Sequence, residues 1–90
     1  MTHTIKQKAK LIARARRIKG QIEGIERALE AEANCAEILR QLASARGALG
    51  GLTAEVAERH LQEHVMTATD EAERIAAGQE MVDVIRTYMK

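Results

Sequence analysis

The stretch CAEILRQLASARGALGGLTAEVAERHLQEH, residues 35–64, decides how this chain folds. Its apolar residues Cys35, Ile38, Leu42, Ala45, Leu49, Leu52 and Val56 are spaced alternately three and four apart, which puts them on one seam of an α-helix. Gly47, Gly50 and Gly51 lie inside that seam, and each glycine in a helix interior costs about 1 kcal/mol relative to alanine. They could mark a turn. Against a turn, the seam crosses them without a change of phase, and no Pro, Asn or Asp accompanies them to build a loop. The pattern predicts one long helix whose small residues permit a close helix crossing.

Outward from this stretch the same logic repeats. Leu11, Ala15, Ile18, Ile22, Ile25 and Leu29 are spaced alternately four and three apart, predicting a first helix from about Thr4 to about Ala31. Glu30 to Asn34 is polar or small, and Asn34 is a good N-cap for a second helix starting at Cys35. The second pattern runs on towards His64 until Thr67 to Asp70 interrupts it. Asp70, with Glu73 three residues later, resembles a capping box for a third helix carrying Ile75, Val82, Ile85 and Met89. The prediction is an all-α chain forming a single domain over residues 1–90.

Composition agrees with helices. The hydrophobic fraction of 46% comes almost wholly from Ala, Leu, Ile, Val and Met, with Tyr88 the only aromatic residue and no proline, which argues against a sheet. Ninety residues without Phe or Trp build a thin core, so long seams buried against further copies are expected, and with them a homo-oligomer. No apolar run approaches the roughly 18 residues of a transmembrane helix, and the basic N-terminus lacks a signal-peptide core. A cytoplasmic protein is expected. The net charge of +1 hides an asymmetry: Lys6, Lys8, Lys10, Arg14, Arg16, Arg17 and Lys19 all precede the first acidic residue, Glu23. Such an end is a candidate polyanion-binding surface, although a charge run is more often only a solvated face.

The candidate chemistry sits on the second helix. His60 and His64 are four apart, a spacing that lets two imidazoles on one helical face reach one metal ion. Cys35 is the single cysteine, so it cannot form an intrachain disulfide, and taken alone a small thiol on an apolar seam is more often core than ligand. On one continuous helix Cys35 and His60 stand roughly 37 Å apart and cannot share an ion. Two copies packed antiparallel about a two-fold near Gly47 and Ala48 would bring Cys35 of one chain to His60 and His64 of the other, at both ends. A hairpin at the same glycines would unite them within one chain, and spacing alone leaves both routes open. His3 is the third histidine. Removal of the initiator methionine before Thr2 would leave a free amine beside it; an isolated terminal histidine is otherwise usually part of a loose tail.

These residues resemble the CsoR/RcnR/FrmR family of bacterial ligand-responsive repressors, over essentially the whole chain. The likeness is carried by the opening Met-Thr-His-Thr-Ile, the Arg-Arg-Ile-Lys-Gly-Gln-Ile run from Arg16 to Ile22, Cys35, the Arg46 to Leu52 segment and His60-Leu-Gln-Glu-His64. It is closest to the nickel- and cobalt-responsive, RcnR- or DmeR-like branch. The resemblance implies a three-helix protomer, a dimer through antiparallel second helices and a flat homotetramer built from two dimers. It thereby chooses the two-fold over the hairpin.

It also implies a metal-responsive repressor of efflux genes that holds operator DNA when metal-free and dissociates on binding Ni(II) or Co(II). The ligands would correspond to the amine of Thr2, His3, Cys35, His60 and His64. Zn(II) could bind the same donors in vitro. Copper-responsive members carry a second cysteine where this chain has His64, and formaldehyde-responsive members typically have proline at position 2 and no histidine at 64. Thr2 and His64 argue against both. Asn34 is a departure, because some cobalt and nickel sensors have an acidic residue there. With the family in view, Arg14, Arg16, Arg17, Lys19 and Gln21 become the candidate DNA contacts, arginine suiting phosphate through its planar fork. A Cu(I)- or formaldehyde-responsive repressor of the same family is one rival, and a metal-buffering helical module that never touches DNA is another. An enzyme is not expected, since no Gly-rich loop, oxyanion hole or substrate pocket is legible.

Overall fold

A computed structural model describes residues 5–89. They form three α-helices, α1 (Ile5–Glu30), α2 (Cys35–Leu61) and α3 (Glu71–Tyr88), with a π-helical turn, Gln62–Met66, continuing directly from α2. Among the described residues there is no strand, and no helix is long and apolar enough to cross a membrane. The expectation of an all-α, three-helix chain holds. α2 runs unbroken through Gly47, Gly50 and Gly51, none of which has a positive φ, so there is no hairpin at the glycines. The described residues group into two compact units, one up to Thr53 and one from Ala54 onward.

In the first unit α1 ends in a tight backbone lock. Ala33 N–H donates to the Ala28 carbonyl at 2.9 Å and Glu32 N–H to the Leu29 carbonyl at 3.1 Å, the bond pair of a Schellman motif. Its left-handed position is occupied by Glu32, with φ 54°, where glycine would carry no Cβ penalty. Glu32→Gly is therefore expected to raise stability by about 0.5–1 kcal/mol in a thermal melt. A lower melting temperature would mean that the Glu32 side chain contributes more than the strained backbone costs.

α2 starts where Asn34 predicts. Asn34 Oδ1 accepts from Glu37 N–H at 2.9 Å, and the Asn34 carbonyl accepts from Ile38 N–H. A cap of this kind contributes about 1 kcal/mol. Packing of α1 on α2 then splits the expected seams. Ile25 and Ala45 are buried and Leu11, Ile18, Ala28, Ile38 and Ala48 half-buried, whereas Ile22, Leu29, Leu42 and Leu49 are exposed. Each helix thus carries a second apolar face that its own chain does not cover.

In the second unit the Asp70 carboxylate accepts from Glu73 N–H at 3.0 Å and caps α3. Ile75, Val82, Ile85 and Met89 are exposed, and the buried residues are Ala77 and Met81. α3 turns Ala77 and Met81 inward, and Arg74 Nε donates to the Val65 carbonyl at 3.1 Å to hold it against the π turn. The π turn itself is closed by Thr67, whose N–H and hydroxyl both donate to the Gln62 carbonyl, at 3.1 and 2.6 Å.

Candidate functional site

His60 lies in the last turn of α2 and His64 in the π turn that follows. Because the two segments join without a break, the rings stay on one side, with centroids 5.2 Å apart and planes tilted by 48°. Both are half-buried. His60 Nε2 stands 3.1 Å from the Ala77 carbonyl oxygen. A carbonyl can only accept, so Nε2 is the donor in this contact, which in a neutral ring leaves the lone pair on Nδ1. A ligating histidine commonly makes this second bond, which fixes both the tautomer and the ring orientation. His64 Nε2 is 3.9 Å from Glu63 Oε2, too long for a hydrogen bond.

Among the described residues no third His, Cys, Asp or Glu joins the histidine pair in a cluster able to hold a metal. Cys35 is a free, exposed thiol in the first turn of α2, within the first unit. Thr2 and His3 lie outside the described residues. Of the five expected donors the chain therefore brings two together. Two imidazoles, one oriented by a backbone carbonyl, fit a borderline divalent ion. The π turn and the Ala77 carbonyl were not read from the sequence. Nothing in residue type marks either, because both depend on backbone groups.

The basic candidates are all on α1, but they divide between two faces. Arg16, Arg17 and Lys19 are exposed. Arg14 and Gln21 are half-buried and turn towards α2. The Arg14 guanidinium lies over Gly51, and Gln21 Nε2 donates to Ser44 Oγ at 3.2 Å. Arg14, Arg17, Ile18, Gln21 and Ala48 line an open depression of about 270 Å³. Gln21 Oε1 is buried without a hydrogen-bond partner. Gln21 thus ties α1 to α2 in this structure, and a base contact would require that bond to break. Ser44 was not singled out in the sequence, and Gly51 was read there only as a small residue inside the helix, not as a neighbour of Arg14.

Residues 7–87 match the family described as metal-sensitive transcriptional repressor. Over the full length of both proteins the chain is 40% identical to the transcriptional repressor RcnR of Citrobacter koseri, and 45% identical to an uncharacterized protein in the bioA 5′ region of Serratia marcescens. Among solved structures it is similar to a histidine-for-glutamate variant of the formaldehyde-responsive regulator FrmR from Salmonella enterica serovar Typhimurium. That likeness has a TM-score of 0.88 and 38% identity, and covers 97% of this chain and 99% of that one. It is also similar to the copper-sensing repressor CsoR with Cu(I) from Geobacillus thermodenitrificans, with a TM-score of 0.91 and 28% identity over 100% of this chain and 94% of the other.

Proposed function

Because the chain belongs to the family of metal-sensitive transcriptional repressors, not to a family of enzymes, we propose that it binds operator DNA through α1 when metal-free and releases it on capturing Ni(II) or Co(II), derepressing efflux genes. The observation that carries the choice of metal is the half-buried His60–His64 pair, with the Nδ1 lone pair of His60 available. The 40% identity to a protein named RcnR supports the same branch. Nitrogen donors with one thiolate suit nickel and cobalt at about four to six coordination, whereas Cu(I) prefers two or three soft ligands. A Cu(I) response is the second reading, favoured by the likeness to CsoR; the imidazole at His64, where Cu(I) gains from sulfur, weighs against it.

The site is proposed to form between chains. Ile22, Leu29, Leu42, Leu49, Ile75 and Ile85 leave apolar faces uncovered in one copy, which supports burial against further copies. An antiparallel pairing of α2 helices would offer Cys35 of one chain to His60 and His64 of its partner, and two such dimers would make the tetramer. His3 and the amine of Thr2 would add donors from the N-terminus. Held in that site, an ion would supply a cross-link between chains. Arg16, Arg17 and Lys19 bind phosphate by charge and, for arginine, by bidentate geometry; repeated on each copy, modest contacts add. Assembly shapes that complete the donor set and those that match the duplex compete, so each ligand lowers affinity for the other by linkage.

Fluorescence anisotropy of labelled duplex DNA, with Ni(II), Co(II), Zn(II), Cu(I) and formaldehyde added in turn, tests the reading. Release by nickel or cobalt is expected. Release by Cu(I) or formaldehyde alone would reassign the branch, and no salt-dependent DNA binding at all would leave a metal-buffering module. Arg16→Ala is expected to weaken DNA binding about tenfold and to lower the salt slope by about one, with metal affinity unchanged. Unaltered affinity would remove the exposed face of α1 from the DNA surface.

A further inference from the structure

We infer that Gly51 positions Arg14: the absence of a side chain at Gly51 makes a notch on α2 in which the Arg14 guanidinium is held for DNA. The inference rests on the proposed DNA-binding role of α1. A Cβ at Gly51 would stand 2.6 Å from one terminal nitrogen of Arg14, closer than real Cβ atoms approach a heavy atom, and 3.8 Å from its Cζ, an ordinary contact distance. The guanidinium occupies the space that any other residue's side chain would fill. The neighbouring glycines differ, since a Cβ at Gly47 or Gly50 meets nothing within 4 Å. Nor does the backbone demand glycine, because Gly51 has no positive φ. Of the three glycines of α2, Gly51 is thus the one at which a side chain would meet Arg14.

The geometry has a physical use. Arginine carries many rotamers, and a contact costs less when the fork is already oriented. Arg14, Arg17 and Gln21 share one depression beside Ala48, so an arginine lodged over Gly51 shares that depression with the exposed Arg17. Alanine at 51 leaves α2 helical but expels the guanidinium from the notch, because the far end of a flexible side chain is what gives way. Arg14 is then still charged and still on α1, but no longer seated over residue 51.

The test is a double-mutant cycle on the full chain, read as anisotropy of a fluorescein-labelled mixed-sequence duplex, for which phosphate contacts suffice. Gly51→Ala is expected to lower affinity about five- to tenfold and the salt slope by about one, as Arg14→Ala does, and the double variant is expected to match Arg14→Ala. Gly78→Ala, whose Cβ meets nothing within 4 Å on α3, controls for a stiffer helix and is expected to leave DNA binding unchanged. The Arg14 side-chain Nε–H resonance is expected to shift in Gly51→Ala. A Gly51→Ala loss that persists in the Arg14→Ala background, an equal loss in Gly78→Ala, or an unmoved Arg14 resonance overturns the positioning role. If Arg14→Ala weakens binding and Gly51→Ala does not, only this role falls. If Arg14→Ala itself has no effect, the place of Arg14 in the DNA surface falls with it.

Discussion

Alanine at Cys35 or at His60 is expected to abolish the metal response, and mixing the two variants in equal amounts is expected to restore about a quarter of the sites. Both residues belong to α2, one in its first turn and one in its last, and among the described residues no cluster of three donors exists within a single chain. If the donor set is shared across an antiparallel dimer, each homodimeric variant lacks one donor at both sites. A heterodimer of Cys35→Ala with His60→Ala contains one intact site and one lacking both donors. The single variants should lose more than about 100-fold in nickel or cobalt affinity, beyond what removal of outer-shell partners costs. About half of the dimers in mixed, refolded chains are heterodimers, so chelator-competition titration should then show high-affinity binding at about a quarter of the stoichiometry of the unaltered protein. Retained affinity in both single variants would sink the shared site; affinity that stays lost on mixing would place Cys35 and His60 in one chain's site instead.

His64→Cys should exchange one metal response for another. His64 lies on the π turn beside His60, with ring centroids 5.2 Å apart, so a thiolate there would join Cys35 as a second soft donor in the proposed site. Cu(I) should gain about 100-fold in affinity, equivalent to roughly 2.7 kcal/mol, and nickel or cobalt should lose by a similar factor. Derepression of a reporter by each metal, in the unaltered protein and in the variant, reads this without relying on test-tube affinity, which Zn(II) would confuse by taking the same donors tetrahedrally. A variant that still answers to nickel or cobalt and ignores Cu(I) would show that residue 64 does not choose the metal.

Much of the architecture was legible because it is local. The alternating three-four spacing across residues 35–56 marked α2 as one helix, and it runs through all three glycines. Asn34 and Asp70 announced their helices because a short side-chain acceptor is needed where backbone N–H groups lack partners, and both make that bond. Glu32 announced nothing, since glutamate is a poor choice for a left-handed position and only the chain path demands it there.

By itself, then, the sequence determined three helices, where they begin, a basic first helix and a His60–His64 pair one turn apart, since each follows from periodicity, capping or spacing along the chain. The tertiary structure alone decided which side of each helix is inside. A seam four and three residues wide is broad enough to be divided, and packing placed Ile18 and Ile25 against α2 while leaving Ile22 and Leu29 exposed; on α3 it buried Ala77 and Met81 and left Ile75 and Ile85 exposed. The same packing oriented His60 through the Ala77 carbonyl and laid Arg14 over Gly51. These last are contacts between a side chain and another segment's backbone, and no residue type encodes a backbone's position.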